Sequence, residues 1–249
     1  GLRVTFEIGH DPAKAPTADT DGTVGRTGAV CVACQTGVPL KHVRAEAKDG
    51  RMGSQLMAVA AEGSRRREYV APDAVQVEGA NVDKPIDLPQ QNMPDHSVSP
   101  STHQTIKIYG FDKWVDLFTN RQLVALTTLG DLVLVARERA LVDALAHSNA
   151  EGERLEAGGA DAAAYADAIA TYLGFAISRS TDYFSTINTW ASAGEFVRNV
   201  FARQAIPMTW DFVETNPLSA STGNFRGQVE WTSMALEGLP ATGSTDVVQ

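Results

Sequence analysis

At 249 residues, the chain can hold one large domain or two modest ones with an ample core. Its hydrophobic fraction of 43% is ordinary for a globular protein, and no apolar run approaches the ~20 residues a membrane helix needs. A net charge of −9 argues against a protein that simply coats nucleic acid. No basic-then-apolar leader resembling a signal peptide opens the chain, and two cysteines three residues apart make a poor disulfide framework. A reducing cytoplasm is the expected compartment.

In chain order, LRVTFEI (residues 2–8) alternates apolar and polar side chains and predicts a strand. Gly9 to Gly28 is a turn-rich loop of Asp, Thr, Pro and Gly. Cys31 and Cys34 follow in AVCVACQTG, a Cys-x-x-Cys between short extended segments with Gly37 just after it, the shape of one zinc knuckle. Structural zinc normally takes four protein ligands, so these residues are half a site. His10 and His42 are near in sequence, but neither has a zinc-ligand spacing; the other histidines, His96, His103 and His147, are read as surface residues. Weak zinc binding, or an empty knuckle, is expected of these residues alone. Both ends read as cut from something longer: Gly1-Leu2-Arg3 has no initiator methionine, and Asp246 to Gln249 stops in a strand-like run.

SQLMAVAAEG and SRRREYVAP predict a hairpin turning near Gly63-Ser64, though the first arm also suits a helix. Residues 41–68 carry seven Lys and Arg against four Asp and Glu. A basic strip inside an acidic chain fits a phosphate-contacting surface, and Arg51, Arg65, Arg66 and Arg67 are the candidate DNA contacts. It also fits a solvated hairpin whose charges keep it soluble, the more ordinary reading of such a strip. Pro72, Pro85, Pro89, Pro94 and Pro100 mark 71–105 as a linker or an irregular arm.

Beyond that point helices are expected. Thr119 and Gln122 have capping-box spacing, and Leu123, Leu126, Val133, Leu134, Leu141 and Leu145 recur at helical intervals to about His147. A second long helix starts near Asp161, with Tyr165, Tyr172, Phe175, Ile187 and Trp190 along one face. GEFVRNVFARQ predicts a third helix and NFRGQVEWTSMALEGL a fourth, ending before Pro240. The fold class is therefore α+β: a small β-rich knuckle portion over 1–80, a proline-rich arm over 81–107 and a helical portion over 108–249.

Complete catalytic motifs are not found: there is no Gly-x-Gly-x-x-Gly, Walker loop, His-Glu-x-x-His or Gly-x-Ser-x-Gly. ETNPLSAS is not an Asn-Pro-Pro-aromatic loop, having one proline and a leucine in place of the aromatic. Arg179, Asp182, Asn188, Arg203, Trp210, Asp211, Glu214, Asn216 and Asn224 form either a buried polar network or a surface facing a pocket or DNA. Trp114, Trp190, Trp210 and Trp231 read as core unless one protrudes to stack on bases.

Five longer strings, RAEAKDGRMGSQLMAVAAEG, LFTNRQLVALTTLGDL, AYADAIATYLGFAISRSTDYFSTINTW, RQAIPMTWDFVETNP and GNFRGQVEW, give the chain a resemblance to one family. From about Val4 to Gln249 it resembles the large zinc-ribbon-containing adenine-specific DNA methylases of bacteria and archaea. That resemblance implies an S-adenosylmethionine loop, Phe-x-Gly-x-Gly, upstream and an Asp-Pro-Pro-Tyr catalytic loop downstream, neither of which these residues contain. It further implies an earlier cysteine pair before Gly1, with Cys31 and Cys34 matching the second pair of the ribbon. The segment between the two loops is expected to be the target-recognition region, which holds DNA while adenine is extruded towards the rest of the methyltransferase. No methyl transfer is expected from these residues alone. The competing expectation is a non-catalytic helical module that braces the methyltransferase fold or binds a partner, with a purely structural knuckle.

Overall fold

The computed structural model describes residues 4–15, 22–25, 27–94, 105–147, 150–201 and 206–239. The fold is α+β, with small antiparallel hairpins early in the chain and long helices later. Two compact units emerge: Gly1–Asp83 with Asp87–Leu117 and Arg203–Met208, and Lys84–Ile86 with Phe118–Ala202 and Thr209–Gln249.

In the first unit, β1 (Gly28–Val30) pairs antiparallel with β2 (Gly37–Pro39), with Ala29 opposite Val38. A helix, α1 (Leu40–Lys48), follows β2 with no residue between them. Gly50, at φ +72°, takes the left-handed conformation that closes α1, placing its N–H 3.1 Å from the Ala47 carbonyl. The helix lies against a 3-10 turn, Thr105–Tyr109, whose following Gly110 is at φ +84°. A Cβ on Gly110 would come 3.1 Å from the Ala47 carbonyl oxygen, so glycine is required twice over.

The expected hairpin is present as β3 (Val59–Glu62) and β4 (Arg67–Val70), turning through Gly63, whose N–H donates to the Arg66 carbonyl at 3.0 Å. A short helix, α2 (Ala74–Gly79), opens on a capping box of Asp73 and Gln76. The proline-rich stretch is anchored as well as irregular: Met93 is buried and its N–H donates to the Asp112 carbonyl at 2.8 Å. Met93, Ile106, Tyr109, Val115 and Leu117 are among the buried apolar residues of this unit.

One expectation for this unit is corrected. Residues 4–8 form no strand; the Val4 carbonyl is taken by the Gln55 side-chain amide at 2.8 Å rather than by a neighbouring strand. Residues 40–48, which open the basic strip, are helical, with Ala47 buried and Val43 half-buried at i, i+4 spacing among charged neighbours.

The second unit is built on α3 (Asn120–Leu145), α4 (Ala162–Ser180) and α5 (Phe225–Glu237), with α4 packed against both of the others. Both halves of the Thr119–Gln122 capping box are formed, at 2.9 and 3.3 Å. Asn224 caps α5, its side-chain oxygen accepting from the Gly227 N–H at 2.7 Å.

The aromatic face expected of α4 is corrected. Its buried residues are Ala162, Ala163, Ala164, Ala166, Asp167, Ala176 and Ser180, whereas Tyr165 and Phe175 are more than half exposed. Small side chains allow close helix approach, and the aromatics are left outside. Ile187 and Trp190 lie beyond the end of α4. GEFVRNVFARQ is not a helix in its described part. Trp190–Ala191 (β5) and Phe196–Val197 (β6) pair as a tight hairpin turning at Glu195, whose φ of +51° breaks helical geometry.

Asp167 is the ionic centre of this unit. Arg137 Nε donates to one carboxylate oxygen at 2.7 Å, while Arg154 and the Leu155 N–H donate to the other. Hydrogen bonding from Arg154 is the largest influence on the Asp167 carboxyl; burial opposes it, and Arg137 and the Leu155 amide then help to hold the group well below the usual carboxylate range.

Candidate nucleic-acid interface

Cys31 and Cys34 sit in the turn that joins β1 to β2. The Cys31 N–H donates to the Thr36 carbonyl at 3.0 Å, and the Gln35 N–H donates to the Cys31 carbonyl at 2.8 Å. Gln35 has φ +59°, the left-handed conformation that tightens this turn. Cys34 is exposed, with its Sγ 3.2 Å from Thr36 Oγ1. Hydrogen bonds with the Thr36 hydroxyl and backbone, then with the Cys31 thiol, hold the Cys34 thiol below its ordinary value. A turn that favours thiolate suits a soft metal ion. Two sulfurs fit half of a tetrahedral zinc site. Among the described residues, no three His, Cys, Asp or Glu side chains come together in a group that could hold a metal ion. His96 and His103 lie outside the described residues.

The four candidate DNA-contacting arginines are not alike. Arg51 is clamped: its Nε and one terminal nitrogen donate to the Glu46 carboxylate at 2.6 and 2.8 Å, and that nitrogen also reaches Asp49 at 2.8 Å. These carboxylates raise its pKa above the ordinary arginine value and neutralise its charge locally. Arg65 and Arg66 are exposed in the β3–β4 turn and make no ion pair among the described residues. Arg67 opens β4 opposite Glu62 and is half-buried. The hairpin thus presents two uncompensated guanidiniums at its tip.

The late polar residues mostly serve the fold. Asn188 is fully buried; it accepts from the Ser185 N–H and hydroxyl at 2.8 Å each and donates to the Asp182 and Arg198 carbonyls at 2.9 and 3.0 Å. Asp182 accepts from the Val200 and Phe201 amides at 2.7 Å. Glu214 pairs with Arg121, whose Nε donates at 3.0 Å. Asn216 accepts from the Leu218 N–H and Asn224 caps α5, while Arg203 lies outside the described residues.

No family model, curated protein or solved structure matches this chain. Function therefore has to be read from its own residues.

Trp231 is 59% exposed on α5, with the Arg179 guanidinium 5.5 Å from its ring centroid, and Trp210 and Trp114 are partly exposed. The core reading of the tryptophans thus fails for Trp114, Trp210 and Trp231. A further apolar surface, missed by the periodicity argument, lies on α3: Leu132, Leu134, Val135 and Val142 are each more than half exposed. No helix among the described residues is long and apolar enough to cross a membrane.

Proposed function

We propose that this chain is the internal, target-recognising segment of a larger S-adenosylmethionine-dependent DNA adenine methyltransferase, whose cofactor and catalytic loops come from outside these residues. The observation that carries the DNA-contacting part is the β3–β4 tip, where Arg65 and Arg66 stand exposed without carboxylate partners. The five long strings given above supply the enzyme class. Free thiols on an exposed turn fit a reducing cytoplasm.

A salt titration of duplex-DNA binding tests the reading. Each phosphate contact contributes about −0.9 to the slope of log affinity against log salt. Arg65→Ala/Arg66→Ala should make the slope shallower by about 1.8 and weaken binding across all sequences alike. Arg51→Ala should weaken binding less than the hairpin pair does, because Glu46 and Asp49 already occupy that guanidinium and its loss removes no phosphate contact. A wild-type affinity that ignores salt would overturn the proposal. It would favour a non-catalytic partner-binding module, a reading that the exposed apolar residues of α3 also support.

Cys31 and Cys34 hold, on this proposal, two of the four positions around a structural zinc, the other two sulfurs coming from another segment of the longer protein. Zinc there would stiffen the turn, since structural metal affinity is coupled to folding. The 249 residues should bind zinc weakly, at less than one ion per chain after dialysis. One tightly held ion per monomer, lost on Cys31→Ser, would show that the site is complete without a second pair.

A further inference from the structure

The exposed charges of α1 have a pattern that the linear sequence conceals. At 100° per residue, Lys41, Arg44 and Lys48 fall within about 60° of arc, forming one ridge along the helix. Glu46, the single acid in α1, lies on the opposite side, where Arg51 holds it at 2.6 Å. Ala47 is buried and α1 packs against the Thr105–Tyr109 turn, so the ridge borders the packed face at Arg44 and stands away from the acidic one. Lys41 and Lys48 are exposed and make no ion pair among the described residues. Arg44 lies between them, its guanidinium 5.9 Å from the centroid of the buried Tyr109 ring and its Nε buried without a hydrogen-bond partner. The ring fixes the guanidinium in place before any ligand arrives, which lowers the entropy lost on binding.

We propose that Lys41, Arg44 and Lys48 form a phosphate-binding ridge that takes the backbone of DNA, in addition to the β3–β4 tip. This inference deepens the target-recognition reading and rests on it. Three cations spread over about 10 Å of helix, in two intervals of about 4.5 and 6 Å, lie within side-chain reach of consecutive phosphates on one strand. Arg51 has the opposite part: by holding Glu46 and Asp49 it removes two carboxylates that would otherwise repel the same backbone.

The test uses the full 249-residue chain and duplex DNA followed by fluorescence anisotropy. Lys41→Ala/Lys48→Ala changes two exposed side chains, and circular dichroism confirms that the helices remain. The expected result is a salt slope shallower by about 1.8 than wild type, with weaker binding to every sequence tried. An unchanged slope, alongside a hairpin variant that does lose affinity, would sink the ridge and leave the target-recognition reading standing. A wild-type chain that binds no DNA would remove both. Millimolar inorganic phosphate at constant ionic strength is the second arm. If it displaces the DNA, the ridge is a small-anion site and the backbone assignment is wrong.

Discussion

Asn188→Ala is expected to destabilise the helical unit by roughly 3 kcal/mol or more. The side chain is fully buried and satisfies four groups: the Ser185 N–H and hydroxyl, and the carbonyls of Asp182 and Arg198. Each buried polar group left without a partner costs about 1–3 kcal/mol, and alanine would orphan several while opening a small void. Urea denaturation read through the CD of α3, α4 and α5 measures the effect. Asn188→Asp should fare little better, because it keeps the acceptor and loses both donated bonds. A drop below about 1 kcal/mol for the alanine variant would mean that water replaces the amide, and that the turn from Asp182 to Asn188 is not held as described.

Asp167→Asn is expected to produce the largest pH-linked change in the molecule. The carboxylate is held between Arg137 and Arg154, and asparagine would leave two guanidiniums facing a neutral group. Since the folded carboxyl titrates below its unfolded value of about 3.9, the unfolded chain binds more protons in the window beneath that value. Its contribution to stability is present above pH of about 4 and drains away as the pH falls through the folded value. The gap between wild type and variant should therefore be widest near neutrality and close progressively from about pH 4 downward. Parallel urea midpoints from pH 7 to pH 2 would show it. A gap that stays constant would attribute the effect to shape rather than to charge.

Features governed by near neighbours were legible in the residues. Thr119 and Gln122 announced the start of α3, Asp161 the start of α4, and Gly63-Ser64 the turn between β3 and β4. Features settled by long-range packing were not. Tyr165 and Phe175 have helical spacing, but the alanines of α4 take the inward positions, so counting aromatics pointed to the wrong face. GEFVRNVFARQ has helical composition, yet Asp182 captures the amides of Val200 and Phe201 and Glu195 adopts positive φ, and both features require a turn. The strand expected at the start fails over its described residues, 4–8, which find no pairing partner among the described residues. For the candidate site, charge counting located the basic strip without separating the compensated Arg51 from the uncompensated Arg65 and Arg66. That distinction needed Glu46 and Asp49 to be placed in space.

The junction of β2 with α1 has a mechanical consequence. Pro39 ends the strand and Leu40 begins the helix; proline's ring fixes its own φ, and α1 packs back on both β1 and β2. Rotation of the cysteine hairpin against the helix is thereby restrained. A rigid dye bridging the sulfurs of Cys31 and Cys34 therefore reports the tumbling of α1 itself, and gives the chain a built-in gauge of when that helix becomes held.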